Sequence, residues 1–230
     1  MTAHPFDFDG QHLLARTSGA LVWPARRWLI VSDLHLGKSE RMARRGGALL
    51  PPYETEATLD RLEAEIDATE PDTVVSLGDG FDDDAAGRSL PDAICRRLRA
   101  MAAGRRWIWI SGNHDPGGIC PRMPGQSVDA LHDGLILRHQ AGQGPDVSGH
   151  YHPCVTLAGQ RMRCFLVGRD HLILPAFGTY TGGLPVTDAA LARLVPQGTA
   201  IACGARPIAF PVDGARVRPR KRAGGFRRPF

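Results

Sequence analysis

Three short apolar runs, Trp28-Leu29-Ile30-Val31, Thr73-Val74-Val75-Ser76-Leu77 and Trp107-Ile108-Trp109-Ile110, each pass directly into a polar cluster. Their length and β-branched content read as buried strands. Between the first two, Tyr53 to Thr69 places Ala57, Leu59, Leu62 and Ile66 at helical spacing among acids, and Leu90 to Ala103 gives a second helix before the third. This β-α-β-α-β order restricts the chain to a parallel arrangement, because right-handed crossover helices join parallel neighbours. Parallel strands end on one edge, and ligands of open α/β sheets bind in the crevice outside that edge. The clusters Ser32-Asp33-Leu34-His35, Gly78-Asp79 and Ser111-Gly112-Asn113-His114-Asp115 are therefore expected to converge.

The second half is built differently. Leu135-Ile136-Leu137, Cys164-Phe165-Leu166-Val167 and Leu172-Ile173-Leu174 are separated by few turn residues, the pattern of antiparallel strands in a second sheet. No repeat or linker interrupts residues 1–215, which are expected to form one α/β domain. His139 follows the first of these runs, and Gly149-His150-Tyr151-His152 adds two imidazoles two positions apart. Alternate residues of an extended segment point the same way, so His150 and His152, like Asp33 and His35, can face one site.

Asp33, His35, Asp79, Asn113, His139, His150 and His152 offer seven oxygen or nitrogen donors, too many for one four-coordinate zinc and suited to two cations. A two-metal site needs a bridging carboxylate between ions about 3.5 to 4 Å apart, and Asp79 is the best placed. Mixed imidazole, carboxylate and amide donors favour Mn²⁺, Fe or Zn²⁺ over Mg²⁺ or Ca²⁺. Such a pair generates hydroxide near neutral pH and clamps a phosphoryl group, which makes phosphoester hydrolysis the expected chemistry. With Asn113 as the ligand of its cluster, His114 is free to hydrogen-bond the phosphate and protonate the leaving oxygen, with Asp115 placed to orient it.

In this order, Asp33-x-His35, Gly78-Asp79, Gly112-Asn113-His114-Asp115, His139 and Gly149-His150-x-His152 resemble the calcineurin-like metallophosphoesterases. The resemblance implies an α/β/β/α sandwich of two mixed sheets flanked by helices, with a dinuclear site at the strand ends. It implies that Asp33, His35, Asp79 and His152 hold one metal, that Asp79, Asn113, His139 and His150 hold the other, and that His114 acts on the phosphate. More narrowly, Ser32-Asp33-Leu34-His35-Leu36-Gly37-Lys38, the Arg-rich stretch to Gly47 and Leu50-Pro51-Pro52 are similar to the bacterial ligase-associated DNA damage response endonucleases. That implies an endonuclease acting on DNA, accompanied by an ATP-dependent DNA ligase and a helicase. Two features depart from the family pattern: Gln140 rather than Gly follows His139, and Asp82, within Asp82-Asp83-Asp84, stands three residues after Asp79 where His or another polar group is frequent.

Charge points to the same class of partner. The chain carries +4, yet Arg216, Arg218, Arg220, Lys221, Arg222, Arg227 and Arg228 crowd residues 216–230 with no acid, leaving the rest at −3. A basic tail with this much Gly and Pro cannot bury a core and attracts a polyanion. Lys38, Arg41, Arg44 and Arg45 follow the first motif closely enough to reach a phosphate near the metals, or else form a solvated basic face. Trp107 and Trp109 are expected to pack on helices, and His4, His12, His132 and His171 match no motif. No apolar run approaches the roughly 18 residues of a membrane span, and the start MTAHPFDFDG lacks the basic and apolar regions of a signal peptide, so a cytoplasmic chain is expected. Cys95, Cys120, Cys154, Cys164 and Cys203 are odd in number with no C-x-x-C pair, against a disulfide scaffold or zinc knuckle.

Two alternatives accompany the nuclease. One is a phosphodiesterase or pyrophosphatase acting on a small nucleotide-like compound; the 23 residues between Asp115 and His139, rich in Gly and Pro, leave little room for the helical cap of lipid-linked nucleotide-sugar hydrolases. The other is a non-catalytic DNA-binding partner, which the complete ligand set disfavours.

Overall fold

The computed structural model describes residues 3–44, 46, 51, 53–116 and 122–214. Arg45, Cys120 and the basic tail lie outside the described residues. The chain starts with three antiparallel strands, β1 (Ala3–Phe8), β2 (Gln11–Arg16) and β3 (Leu21–Trp23), and enters β4 (Trp28–Val31). Helices α1 (Lys38–Arg44) and α2 (Glu54–Thr69) lead to β5 (Thr73–Leu77), and α3 (Asp84–Ser89) and α4 (Asp92–Ala102) lead to β6 (Arg106–Ile110). β7 (Gln126–Val128) completes a seven-stranded sheet in sequential order, antiparallel up to β4 and parallel from β4 to β7.

The second helix of the sequence reading, Leu90 to Ala103, is α4, and a further short helix, α3, precedes it. Leu90 precedes Pro91, and a residue before proline is pushed out of the helical region; Leu90 has ψ 137°. The segment before the break is helical because the Asp83 side chain caps it, accepting from the Ala86 N–H at 2.6 Å.

The second sheet comprises β8 (Ala130–His132), β9 (Ile136–Arg138), β10 (Asp146–Ser148), β11 (Cys154–Leu157), β12 (Gln160–Val167), β13 (His171–Ile173), β14 (Gln197–Ala202) and β15 (Ile208–Asp213), with α5 (Ala189–Leu194) between β13 and β14. It is mixed, which corrects the expectation of antiparallel strands: β9, β10 and β13 run parallel, and the remaining pairs are antiparallel. The connection after β9 carries the chain back to the start of the next strand instead of turning it into a hairpin. As a result β9 and β10 end on the same edge, and Gly149 N–H donates to the His139 carbonyl at 2.9 Å.

Strand alternation sorts the core into two layers. Ile30, Val75, Leu77, Ile108 and Ile110 face the second sheet, meeting Leu137, Val147, Phe165, Leu172 and Ile201. Leu29, Val31, Val74, Trp107 and Trp109 face outward onto Leu59, Leu62, Ile66, Ile94 and Leu98 of the helices, so both tryptophans are core residues. On the far side, Leu191 of α5 packs against Leu166 and Ile173. The layers are helix, sheet, sheet, helix, an α/β fold of two mixed sheets flanked by helices. Among the described residues no helix is long and apolar enough to cross a membrane, and Cys95, Cys154, Cys164 and Cys203 are free thiols.

Candidate metal centre

The ends of β4, β5, β6, β9 and β10 deliver the seven donors to one crevice. The backbone there is not extended: Asp33, His35, Asp79, His150 and His152 have φ of 53°, 47°, 46°, 68° and 47°. Asp and His tolerate this left-handed region better than bulkier residues. Convergence thus comes from a series of left-handed turns at the strand ends, not from side-chain alternation along a strand. The turns interlock, since the N–H groups of Asp33 and His35 donate to the carbonyls of Gly78 (3.2 Å) and Asp79 (2.9 Å). Close approach also requires Gly112 and Gly149, where a Cβ would collide with Asp79 and with Ser32 and Asp33 respectively.

Two groups form around Asp79. In the first, His152 Nε2 lies 3.1 Å from Asp33 Oδ1, and the His35 and His152 rings meet edge to face with centroids 5.3 Å apart. In the second, His139 Nε2 lies 3.5 Å from Asp79 Oδ2 and 3.2 Å from His150 Nδ1, and Asn113 Oδ1 stands 2.9 Å from both of those ring nitrogens. Asp79 Oδ2 also lies 3.9 Å from His35 Nε2, so this carboxylate stands between the groups.

This donor set fits a pair of cations. Asp33, His35 and His152, and likewise Asp79, His139 and His150, offer ligand atoms within 4.8 Å of one another. The ring nitrogens of His35, and His152 Nε2, are buried with no hydrogen-bond partner, a costly arrangement for polar atoms aimed at carboxylates unless something else satisfies them. Ring orientation is fixed from behind. His139 Nδ1 pairs with the Leu77 carbonyl at 2.9 Å, which turns Nε2 to the site. Asp33 accepts the His150 N–H at 3.0 Å. Burial would raise the Asp33 pKa, but the close imidazole of His152 and the neighbouring rings of His139 and His35 hold it below the usual carboxylate range. Burial and His139 lower the pKa of His150, favouring the neutral ring that ligates metals.

His114 stands at the rim, one-third exposed, with Nδ1 on the Asp82 carbonyl at 2.9 Å and Nε2 4.0 Å from Asp79 Oδ2. Its N–H donates to Asp79 Oδ1 at 2.9 Å. Asp115 does not touch the His114 ring, contrary to expectation. Its carboxylate turns inward and accepts from Gly112 N–H (3.0 Å) and Phe81 N–H (3.1 Å), tying the loop after β6 to the loop after β5.

The basic residues after the first motif are largely engaged. Arg41 pairs with Asp82, Lys38 Nζ lies 3.7 Å from Asp82 Oδ1, and Arg44 bonds both oxygens of Asp83 at 2.9 and 3.1 Å. Lys38, Arg41 and Arg44 of α1 therefore face the acidic run, with Arg44 still exposed. The sequence left one role of Asp82 unread: its Oδ1 lies 3.1 Å from His35 Nδ1, behind the ring. The position three residues after Asp79 was the only signal for it.

Residues 26–178 match the family model described as calcineurin-like phosphoesterase. Among solved structures, the chain is similar to the nuclease MPE of Pseudomonas putida, with 28% identity and a TM-score of 0.71 over 92% of this chain and 100% of that one. It also aligns with Yfce, a phosphoesterase from E. coli, at 18% identity and a TM-score of 0.39, over 80% of this chain and 97% of the other. No curated protein matches it in sequence.

Proposed function

Because this chain belongs to the calcineurin-like phosphoesterase family, whose members bind a dinuclear metal centre, we propose that it is a phosphodiesterase of the endonuclease type that cleaves DNA. That it is a metal-dependent phosphoesterase follows from the family. The observation carrying the proposal is Asp79 standing between two donor groups with the His114 ring beside it. When bound, two divalent ions polarise phosphoryl oxygens and lower the pKa of water at the site.

The chain's own residues supply the rest. Asp33, His35, Asp79 and His152 hold one ion, and Asp79, Asn113, His139 and His150 the other. The donor chemistry suits Mn²⁺, Fe or Zn²⁺, and Mn²⁺ is the ion proposed here. Asp82, through its carbonyl, holds His114 Nδ1, so that Nε2 faces the phosphate and passes a proton to the leaving oxygen when the ring is protonated. Asp115 holds the two loops that carry Asp79 and Asn113.

DNA as substrate is supported by the similarity to a nuclease over nearly the whole chain and by the seven basic residues of the tail. A role in repair beside an ATP-dependent ligase and a helicase rests on the sequence resemblance. The test is a panel with Mn²⁺ comparing single-stranded, duplex, nicked and gapped DNA with cyclic nucleotides and dinucleotide pyrophosphates. Cleavage of DNA is expected, as is its loss, by at least a hundredfold, in a folded Asp79→Asn protein. Turnover confined to the small compounds would remove the nuclease, and full activity in Asp79→Asn would remove the bridging role.

A further inference from the structure

Several described arginines stand against an acid, among them Arg16 with Glu65, Arg26 with Asp133, Arg27 with Asp72, Arg41 with Asp82, Arg97 with Asp60 and Glu63, and Arg138 with Asp146. Arg61, Arg161 and Arg163 do not; among the described residues none has a carboxylate at ion-pair distance, and their partners are neutral. Arg163 Nη1 donates to the carbonyls of Ala176 (3.0 Å) and Phe177 (3.1 Å). Arg61, on α2, also donates to Phe177 O and lies 4.7 Å from the Phe177 ring centroid. Arg161 donates Nε to Cys154 Sγ at 3.1 Å and a second bond to the Gly183 carbonyl.

These cations sit beside the metal centre. The β11–β12 pairing sets Cys154 opposite Arg163 and Thr156 opposite Arg161, two residues after His152 and beyond. The carbonyls that receive Arg163 belong to a segment tied to the first motif, through Phe177 N–H to Ser32 O (2.7 Å) and Gly178 N–H to Asp33 O (3.0 Å). A cavity of about 200 Å³ lies here, lined by His152, Pro153, Cys154, Arg161, Arg163 and Thr181 among others, with no acid in its wall. His152 is thus shared between the cavity and the donor group around Asp33.

Arg61 and Arg163 are partly buried while Arg161 is exposed at the cavity mouth; carbonyl dipoles compensate a guanidinium only in part, so the two partly buried cations lack a matched charge. Burial and the neighbouring Arg163 bring the Arg61 pKa down to about 10, so it remains charged at neutral pH. No carboxylate among the described residues balances these cations, which leaves them able to take an anionic group of a substrate bound at the neighbouring donor site.

We propose that this cavity is a subsite for a second phosphate of the substrate, the neighbour of the scissile diester along a polynucleotide strand, bound by Arg161 and Arg163. The proposal rests on the phosphodiesterase reading above and extends it: the enzyme distinguishes a strand from an isolated diester by reading a phosphate that is not cleaved.

The experiment uses the full chain with Mn²⁺ and two substrates, a single-stranded oligonucleotide and bis(p-nitrophenyl) phosphate, which has only one phosphate. The measured quantity is the ratio of the two kcat/KM values. Loss of a charge-assisted contact in Arg161→Ala lowers this ratio by about tenfold or more, and reduces the slope of log Kd against log salt for the oligonucleotide by about 0.7. Arg161→Lys restores part of the ratio. Arg193→Ala, an exposed arginine on α5, leaves it as in the wild type. If both substrates are cleaved but Arg161→Ala alters neither ratio nor slope, the subsite is wrong and the phosphodiesterase stands. If, with a dinucleotide pyrophosphate as a third substrate, Arg161→Ala lowers its kcat/KM but leaves that of the oligonucleotide unchanged, the strand assignment is overturned in favour of a small substrate. Failure of the wild type to cleave either substrate with any divalent ion removes the parent reading and the subsite with it.

Discussion

Replacing Asp115 separates two roles for an acid next to the His114 imidazole. Its Oδ1 accepts from Gly112 N–H and its Oδ2 from Phe81 N–H, at 3.0 and 3.1 Å, with the residue 5% exposed. Hydrogen bonds to a charged acceptor are worth about 1.5 to 3 kcal/mol each, so deleting both in Asp115→Ala and leaving two amides unmet costs about 3 to 6 kcal/mol. Burial pushes the Asp115 pKa up, against the Phe81 amide and with the Asp79 charge adding to the rise, which places the cost near the lower end. Asparagine keeps one acceptor oxygen but turns an NH₂ toward the other amide, for about half the loss, ~1.5 kcal/mol. In urea, with m of about 2 kcal/mol/M, the midpoint falls by about 1.5 M for alanine and about half that for asparagine. Because the carboxylate does not reach His114, the pH profile of diester hydrolysis by the folded fraction keeps its shape. A wild-type urea midpoint together with a displaced limb of the pH profile would refute the bracing role and restore Asp115 as a partner of the acid.

Glu65→Ala strands Arg16 at a site where the pair lies 2.8 Å apart and nearly solvent-free, and is expected to cost about 3 to 5 kcal/mol by urea unfolding, whereas Arg16→Met with Glu65→Leu stays within about 1 kcal/mol of wild type. Equal losses in the two proteins would mean that the pair itself supplies the stability. Mn²⁺ at a hundredfold excess over Kd should raise the unfolding free energy by about 2.7 kcal/mol per site, reversed by chelator and halved or more in Asp79→Asn. No thermal shift in the wild type would count against the donor groups as ligands.

The convergence of the donor residues was legible because they stand at strand ends. Once β4, β5 and β6 are recognised as parallel, Asp33, Asp79 and Asn113 must share an edge, and nothing about side-chain packing is needed to say so. His139 and His150 were read from their place after apolar runs and from alternation, but that they end on one edge depends on the parallel pairing of β9 with β10, which is set by how a short connection folds back and is not encoded by local alternation. The β1–β3 extension was also invisible: Ala3 to Trp23 mixes polar and apolar residues without a decisive period, and the strands are held by pairing to β4. Partnerships between charges were the least readable. Arg41 meets Asp82 from 41 residues away and Arg163 meets Phe177 from 14, distances over which sequence carries no trace of contact. For that reason Lys38, Arg41 and Arg44 looked available for phosphate when they stand against Asp82 and Asp83, and the arginines of β12 without an acid drew no notice.

The five donor residues in left-handed conformations also bear on how this molecule can be hardened against heat. Each such residue gives up about 1 kcal/mol or more, so together they forfeit about 5 kcal/mol, comparable to the whole margin of about 5 to 15 kcal/mol by which an ordinary domain stays folded. Glycine would relieve that burden at every one of them and abolish the donors in the same stroke. Selection for thermotolerance alone would therefore drift toward inert variants, and an engineer must seek robustness in the sheets and helices while leaving these corners uncomfortable.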